Sequence, residues 1–307
     1  MNKYRIIQGL IVLFIILIML IIIIKLTSRI QPTQLAGFDS ERALKDVIAQ
    51  MEFGSRTPGS SAHEKTIEYI QTELKIAGWQ SSVLNQTING HKAQNILATR
   101  QGNSPVILLG THFDSRIYAD KDPIPENRTT PVPGANDGAS GVAVLLELAR
   151  IMPEHNTSVA LLFIDIEDNG QIPGWDWIQG SRAFASDMPF QPQAVVIIDM
   201  IGDADLNIYM EKSSDEVLTN QIWETARVLG YETYFIPQYK YTVIDDHSPF
   251  LEKGIRAVDI IDLDYPYWHT LQDLSDKISS ASMKKVGDTL LKWIETYGPC
   301  MELQNCK

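Results

Sequence analysis

Three stretches of this chain, residues 106–111, 158–165 and 194–201, are near-continuous apolar runs rich in Val, Ile and Leu. Runs this short, without alternation, are what a strand needs when both faces of its sheet are covered, as in a parallel sheet between helices. Segments with helical periodicity separate them. Residues 38–51 read as a helix with Ser40 as N-cap, and a second helix runs from Ser60 or Ser61 to Ala77, closed by Gly78. Further helices are expected at 140–152, 214–229 and 279–296, and further strands at 93–99, 234–237 and 257–261. The alternation predicts an α/β fold with a mostly parallel sheet covered on both faces. Long irregular pieces fall at 112–136, 168–180 and 238–250, and loops of that length in a compact domain tend to be functional.

The chain has 307 residues, enough for one large domain and an appendage, and a formal net charge of −12. That charge excludes nucleic acid as a partner, because binding phosphate needs a basic surface. Residues 6–24 are almost wholly apolar. As a helix they would span roughly 28 Å, enough to cross a bilayer core. Lys25-Leu26-Thr27-Ser28-Arg29 comes next, which offers no small-residue cleavage site. The expected organisation is a membrane anchor at 1–30, a tether at 31–37, an α/β domain at 38–298 and a tail at 299–307. A lone N-terminal anchor usually exports the chain beyond it, so the domain is expected on the extracytoplasmic side. In an oxidising compartment Cys300 and Cys306 can pair locally, and two free tail thiols are the alternative. Sequons stand at Asn85, Asn127 and Asn156.

Five motifs at or just beyond the strand-like runs carry residues that bind metals. They are Gly110-Thr111-His112-Phe113-Asp114, Gly134-Ala135-Asn136-Asp137-Gly138, Asp165-Ile166-Glu167-Asp168-Asn169, Ile197-Ile198-Asp199-Met200-Ile201-Gly202 and Tyr267-Trp268-His269-Thr270. Open α/β sheets hold their ligands at such strand ends, and two histidines with several carboxylates suit zinc. His112 and Asp114 alternate across one strand end and are expected both to line a site, on different faces. Asp137 lies in a turn of small residues that opens a helix, where the backbone can pass close to a ligand. It reads as a ligand or as an ordinary first-turn residue. Glu167 and Asp168 are neighbours whose side chains diverge, so one can face a metal while the other acts on substrate; a solvated loop is the plainer reading. Asp199 stands in a run of Val, Ile and Met, and a buried carboxylate needs a charge, a metal or several donors. His269 alone reads as structural.

Taken together, the order His112, Asp137, Glu167-Asp168, Asp199, His269 resembles the zinc aminopeptidase and glutaminyl-peptide cyclotransferase family, the co-catalytic zinc exopeptidases. The resemblance covers about residues 40–298. It includes Gly-Ala-Asn-Asp-Gly-Ala-Ser-Gly-Val-Ala from Gly134, Asp245-Asp246-His247-Ser248-Pro249-Phe250 and Trp268-His269-Thr270. It implies a three-layer α/β/α sandwich with a mixed, mostly parallel central sheet, and makes 38–298 the catalytic domain. It further implies Asp137 as the central zinc ligand, bridging where two ions bind, with Asp168 and His269 completing the shell of one zinc. His112 and Asp199 match ligands of a second zinc, and Glu167 matches the general acid/base. Asp114 would support His112 from behind the metal, and Asp246 would be an acidic residue of the catalytic centre. Asp168 departs from the pattern, since many relatives have glutamate there; the shorter arm shifts ligand or metal by about an ångström.

The family holds two reactions. An aminopeptidase uses two zinc ions to activate water against the first peptide bond. A glutaminyl cyclase uses one zinc to polarise the side-chain amide of an N-terminal glutamine; the substrate's own amine attacks, ammonia leaves and pyroglutamate forms. Trp268, the Asp245-Asp246-His247 loop and Trp175-Asp176-Trp177 are similar to the cyclases, and imply Trp268, Trp175, Trp177 and His247 as substrate-binding residues. Loop packing is the alternative for the tryptophans. Intact His112 and Asp199 and the glycine-rich turn at Asp137 are similar to the aminopeptidases. The expected activity is cyclisation of peptide or protein N-termini with one Zn2+, with a two-zinc aminopeptidase as the alternative. A non-catalytic ectodomain is a third reading, but it requires lost ligands, and every position here holds a competent residue.

Overall fold

The computed structural model describes residues 37–100, 105–153 and 158–302, together with Tyr4, Ile18 and Met19. The expected span at 6–24 and its tether fall almost entirely outside the described residues, and Asn156 and Cys306 lie outside them too. Among the described residues no helix is long and apolar enough to cross a membrane. The chain divides after Ala36, and the unit that begins at Gly37 holds every element named below.

In chain order these are helices α1 (Ser40–Phe53) and α2 (Ser61–Ile76), then strands β1 (Gln80–Ile88), β2 (His91–Thr99) and β3 (Ile107–His112). Helix α3 (Ala139–Ile151), strand β4 (Val159–Ile164), helix α4 (Gln179–Ser186), strand β5 (Ala194–Asp199) and strand β6 (Ile208–Met210) come next. The chain closes with α5 (Glu216–Val228), β7 (Phe235–Tyr239), α6 (Ser248–Glu252), β8 (Ala257–Ile261) and α7 (Ser280–Glu302).

The three apolar runs form β3, β4 and β5, and every residue in them is buried. They pair in parallel, with β3 between β4 and β5, and β8 adds in parallel beyond β5. On the other edge β2 runs antiparallel to β4, and β1 antiparallel to β2. The six-stranded sheet is therefore mixed, in the order β1-β2-β4-β3-β5-β8, and β6 and β7 make a separate parallel pair. One face is covered by α1, α2, α3 and α7, which pack on one another. On the other, Phe184 of α4 and Phe250 of α6 join Leu108, Leu162, Ile164 and Ile197 in a single apolar cluster. Burying a side chain of that size contributes about 1.5–3 kcal/mol.

Local chemistry explains where the sequence reading and the structure part. Helix α1 is capped by Asp39, not Ser40: the Asp39 carboxylate accepts from Arg42 N at 3.0 Å. The hairpin of β1 and β2 was not expected, because β1 is polar and only half-buried. Its turn, Asn89-Gly90, has φ of +51° and +86°, the two-residue geometry that Asn-Gly favours. Helix α4 replaces irregular chain after residue 178, and α7 runs on to Glu302, through the boundary expected at 298. Helix α3 lies so close to β3 that a Cβ on Gly141 would stand 2.0 Å from Thr111 Oγ1. That contact brings the start of α3, and Asp137 with it, to the sheet's carboxyl end.

Candidate active site

His112, Asp137, Asp168, Asp199 and His269 meet at the carboxyl ends of β3, β4 and β5, all buried. Asp137 faces two ways. Its Oδ1 lies 3.1 Å from His112 Nε2, and its Oδ2 lies 3.7 Å from His269 Nε2. Asp199 Oδ1 is 3.0 Å from His112 Nε2, and Asp168 Oδ1 is 2.8 Å from His269 Nε2. Two groups of ligand atoms result, His112–Asp137–Asp199 and Asp137–Asp168–His269, with Asp137 in both.

The backbone around them is tightly held. The turn before α3 needs positive φ at Gly134 and Gly138, and a Cβ on Gly138 would come 2.8 Å from Asp114 O. Arg56, fully buried, donates to Phe113 O at 2.9 Å, Pro133 O at 2.9 Å and Gly134 O at 2.6 Å. Asp273 accepts from the backbone N–H groups of Asn136 and Asp137 at 2.8 and 3.2 Å. Ile166, Met200 and His269 all adopt left-handed backbone, with φ of +47°, +48° and +56°. The first precedes Glu167, the second comes just after Asp199 and the third is itself a candidate ligand. Such conformations cost of order 1–3 kcal/mol each and cluster at functional sites.

Carboxylates stand behind both histidines. His112 Nδ1 is 3.6 Å from Asp114 Oδ1, and Asp114 also accepts from Glu167 N at 3.1 Å. The expectation that His112 and Asp114 face different ways is thus corrected: residues two apart in extended chain share a face. His269 Nδ1 is 3.6 Å from Asp120 Oδ1, and Arg116 holds Asp120 by two bonds of 2.8 Å. Sequence reasoning missed Asp120, Arg56 and Asp273. The first could have been sought, since a metal-binding histidine usually has a carboxylate or carbonyl behind its other nitrogen.

The donor set fits a zinc ion. Asp137 Oδ2, Asp168 Oδ2 and His269 Nε2 are buried without a hydrogen-bond partner, which is costly unless a cation joins them. Imidazole and carboxylate ligands suit zinc. Charge crowding moves the protonation equilibria. Burial and the neighbouring Asp137 push Asp168 up to about 6. Burial opposes a charged His269, but Asp168 and Asp120 outweigh it and raise the ring to about 9. Burial raises Asp199 to about 7. Burial holds the Glu167 carboxyl well above its usual range; His112 opposes this, while Asp168, Asp245 and Asp246 add to it.

Glu167, Asp137, Asp168 and Asp199 open into a cavity of about 330 Å³ with largely apolar walls, among them Trp177, Trp268, Met200 and Ile244. The Trp268 ring is 3.9 Å from that of His269, and Trp177 lies near-parallel to His269 at 5.9 Å. Trp177 has its own seat. A Cβ on Gly170 would be 2.0 Å from its ring, and the Arg116 guanidinium stands 4.9 Å from it. Two of the expected substrate residues are elsewhere. Trp175 does not line the cavity but stacks on His91 at 3.6 Å. His247 is fully buried, with Nε2 3.0 Å from Ser213 Oγ and 3.4 Å from Glu211 Oε2. Asp246 is also fully buried and off the cavity wall; burial and Asp245 hold its carboxyl well above the usual range.

The sequence model of peptidase family M28 matches residues 95–294. The chain is 32% identical to the glutaminyl cyclase of Tannerella forsythia, with a TM-score of 0.79, covering 84% of this chain and 99% of that one. It is 30% identical to a Zn-dependent exopeptidase from Parabacteroides distasonis, with a TM-score of 0.79, covering 85% and 99%. It is also 24% identical to the glutaminyl-peptide cyclotransferase of Boiga irregularis, over 90% of this chain and 85% of that one.

Proposed function

The chain belongs to peptidase family M28, and we propose that within it the chain is a zinc-dependent glutaminyl-peptide cyclotransferase. The observation that carries this reading is the aromatic enclosure: Trp177 and Trp268 flank His269 and wall the cavity into which Glu167 opens. The similarity to the Tannerella forsythia glutaminyl cyclase supports it.

Asp137, Asp168 and His269 would hold the ion, which supplies a Lewis acid for the γ-carboxamide oxygen of the substrate. The chain's own residues supply the rest. Cyclisation forms a bond from the α-amine nitrogen to the γ-carbonyl carbon and breaks the bond from that carbon to the amide nitrogen. The amine must lose a proton and the leaving ammonia must gain one. Glu167 suits both transfers, because burial holds its carboxyl well above the usual glutamate range, which favours returning a proton to the departing nitrogen once it has taken one from the amine. The tryptophans fold the glutamine side chain toward its own amine and keep water out. An amine so held has an effective concentration far above that of any free competitor.

A second reading, a two-zinc aminopeptidase, is favoured by Asp137 presenting one oxygen to each ligand group. Against it, His112 Nε2 meets Asp199 Oδ1 in hydrogen-bond geometry, so those two atoms satisfy one another. Zinc-loaded protein should be given a Gln-initiated and a Leu-initiated peptide and followed by mass spectrometry. Loss of ammonia from the Gln peptide alone supports the cyclase. Stepwise loss of residues from the Leu peptide replaces it with the peptidase. The run at 6–24 we read as an anchor that holds this domain on the extracytoplasmic side.

A further inference from the structure

We propose that the β1–β2 hairpin positions the Trp177 wall of the cavity, and that His91 is the positioning residue through which it acts. The inference rests on the cyclase reading only in taking Trp177 as a substrate contact. The loop between β4 and α4 carries Asp168 near one end and Trp177 near the other. It has no regular structure and turns through left-handed backbone at Gln171, Gly174 and Ile178. Its own bonds include Trp175 N to Ile172 O and Ile178 N to Glu167 O, both 2.9 Å, and contacts from outside add to them. The hairpin tip supplies three contacts. The His91 ring stacks on Trp175 at 3.6 Å with an 18° interplanar angle. His91 Nε2 is 2.8 Å from Gly174 O, and Asn89 donates to Asp176 Oδ2 at 3.0 Å. All three fall on the residues just before Trp177.

The hairpin is fit to act as a fixed post. Its nine residue pairs run in register from Gln80–Thr99 to Ile88–His91. The tight Asn89-Gly90 turn fixes how the flanking side chains stand. Trp175 is only half-buried, and His91 belongs to neither apolar layer nor ligand group. A His–Trp stack of that kind does little for the core. Its effect is to clamp Gly174 to Asp176, and with them the direction in which Trp177 leaves the loop.

The test uses the full chain, zinc-loaded, with wild type, His91→Ala and His91→Phe. Losing one aromatic stack and one hydrogen bond should raise KM for a Gln-initiated peptide about five-fold. The turnover number and zinc content should hold, and His91→Phe, which keeps the stack, should recover part of the loss. Amide exchange across 169–178 should quicken in His91→Ala, while that across 139–151 does not. An unchanged KM overturns the proposal, with or without faster exchange. So does a joint fall of turnover, zinc content and thermal stability that His91→Phe fails to rescue. If the wild type leaves the Gln peptide intact, the cyclase reading has failed and exchange alone decides: unaltered exchange across 169–178 overturns the clamp.

Discussion

The two ligand groups that share Asp137 are built from the same residue types, yet their atoms satisfy one another unequally. In the His112 half, Nε2 lies 3.0 Å from Asp199 Oδ1 in hydrogen-bond geometry, and that pair closes on itself. In the His269 half, the ring lies 2.8 Å from Asp168 Oδ1, but the alignment makes no hydrogen bond, and Asp168 Oδ2 and Asp137 Oδ2 have no partner either. A histidine and two carboxylates can therefore be a self-contained polar pair or a cation's shell. A carboxylate stands 3.6 Å behind each ring, so what differs is the direction of the ring, which at His269 leaves a left-handed backbone. The His269 half leaves more of its buried polar atoms unpaired, and the single ion of the proposed cyclase is assigned to it for that reason.

The largest effects test the shared residue and the shuttle. Asp137→Ala removes an oxygen from each half, so zinc and turnover should both fall to background. Unchanged zinc stoichiometry by atomic absorption would remove Asp137 from the site. Glu167→Gln should keep the zinc and lose about 10²- to 10⁴-fold in turnover, the range a positioned proton shuttle contributes. Near-normal activity in that variant would end its assignment.

The sharpest test sets the halves against each other. Asp168→Asn should lose zinc, whereas Asp199→Asn should keep one zinc per chain and lose about 10- to 100-fold in activity, as when a group around a metal site is altered. Wild type with two zinc ions, falling to one in Asp199→Asn, would break the comparison and restore the peptidase. Acidification probes the His269 half through its ring, which titrates at a higher pH than Asp199 of the other half. His269, held at about 9, must shed a proton before it can bind zinc. Apparent zinc affinity should thus drop by about tenfold per pH unit as pH falls below about 9, because metal and proton compete. Below about 6, where Asp168 also takes up a proton, the slope should steepen. Zinc content after dialysis against graded buffers reads this directly; affinity independent of pH would contradict it.

The sheet and the candidate ligands His112, Asp168 and Asp199 were legible from the strand pattern, whereas Asp137 and His269, which sit in turns, were legible only through the family resemblance. A strand buried on both faces is apolar throughout, so a carboxylate or histidine at its end stands out. Strand β1 escaped because an edge strand with one wet face carries Gln80, Ser81 and Ser82, and only Asn89-Gly90 marked its turn. Asp273 escaped for another reason. It holds the Asp137 turn across 137 positions of chain, and nothing local to it announces the contact. Trp175 and Trp177 show the limit most plainly. They are two residues apart and identical in type, yet one walls the cavity and the other stacks on His91. In a helix or strand a period says which faces inward. In this loop the answer lies in backbone angles at Gly174 and Ile178 and in a hairpin residue 83 positions away.

Trp268 gives the smallest effect and the finest discrimination. It lines the cavity, packs on His269 and is only half-buried, with the Lys121 ammonium 6.0 Å from its ring. A half-exposed ring of this kind gives up little burial when truncated, so Trp268→Ala should lower the melting temperature by about 2–4 °C, as for a loss near 1 kcal/mol in a domain of this size. Its loss as a wall should matter more to the substrate. KM for a Gln-initiated peptide should rise about tenfold, the equivalent of one desolvated aromatic contact. Stability and KM then separate, which they do not if the ring serves only to pack the loop. A large fall in melting temperature with KM unchanged would make Trp268 a packing residue, and would leave Trp177 as the one tryptophan on which the aromatic enclosure rests.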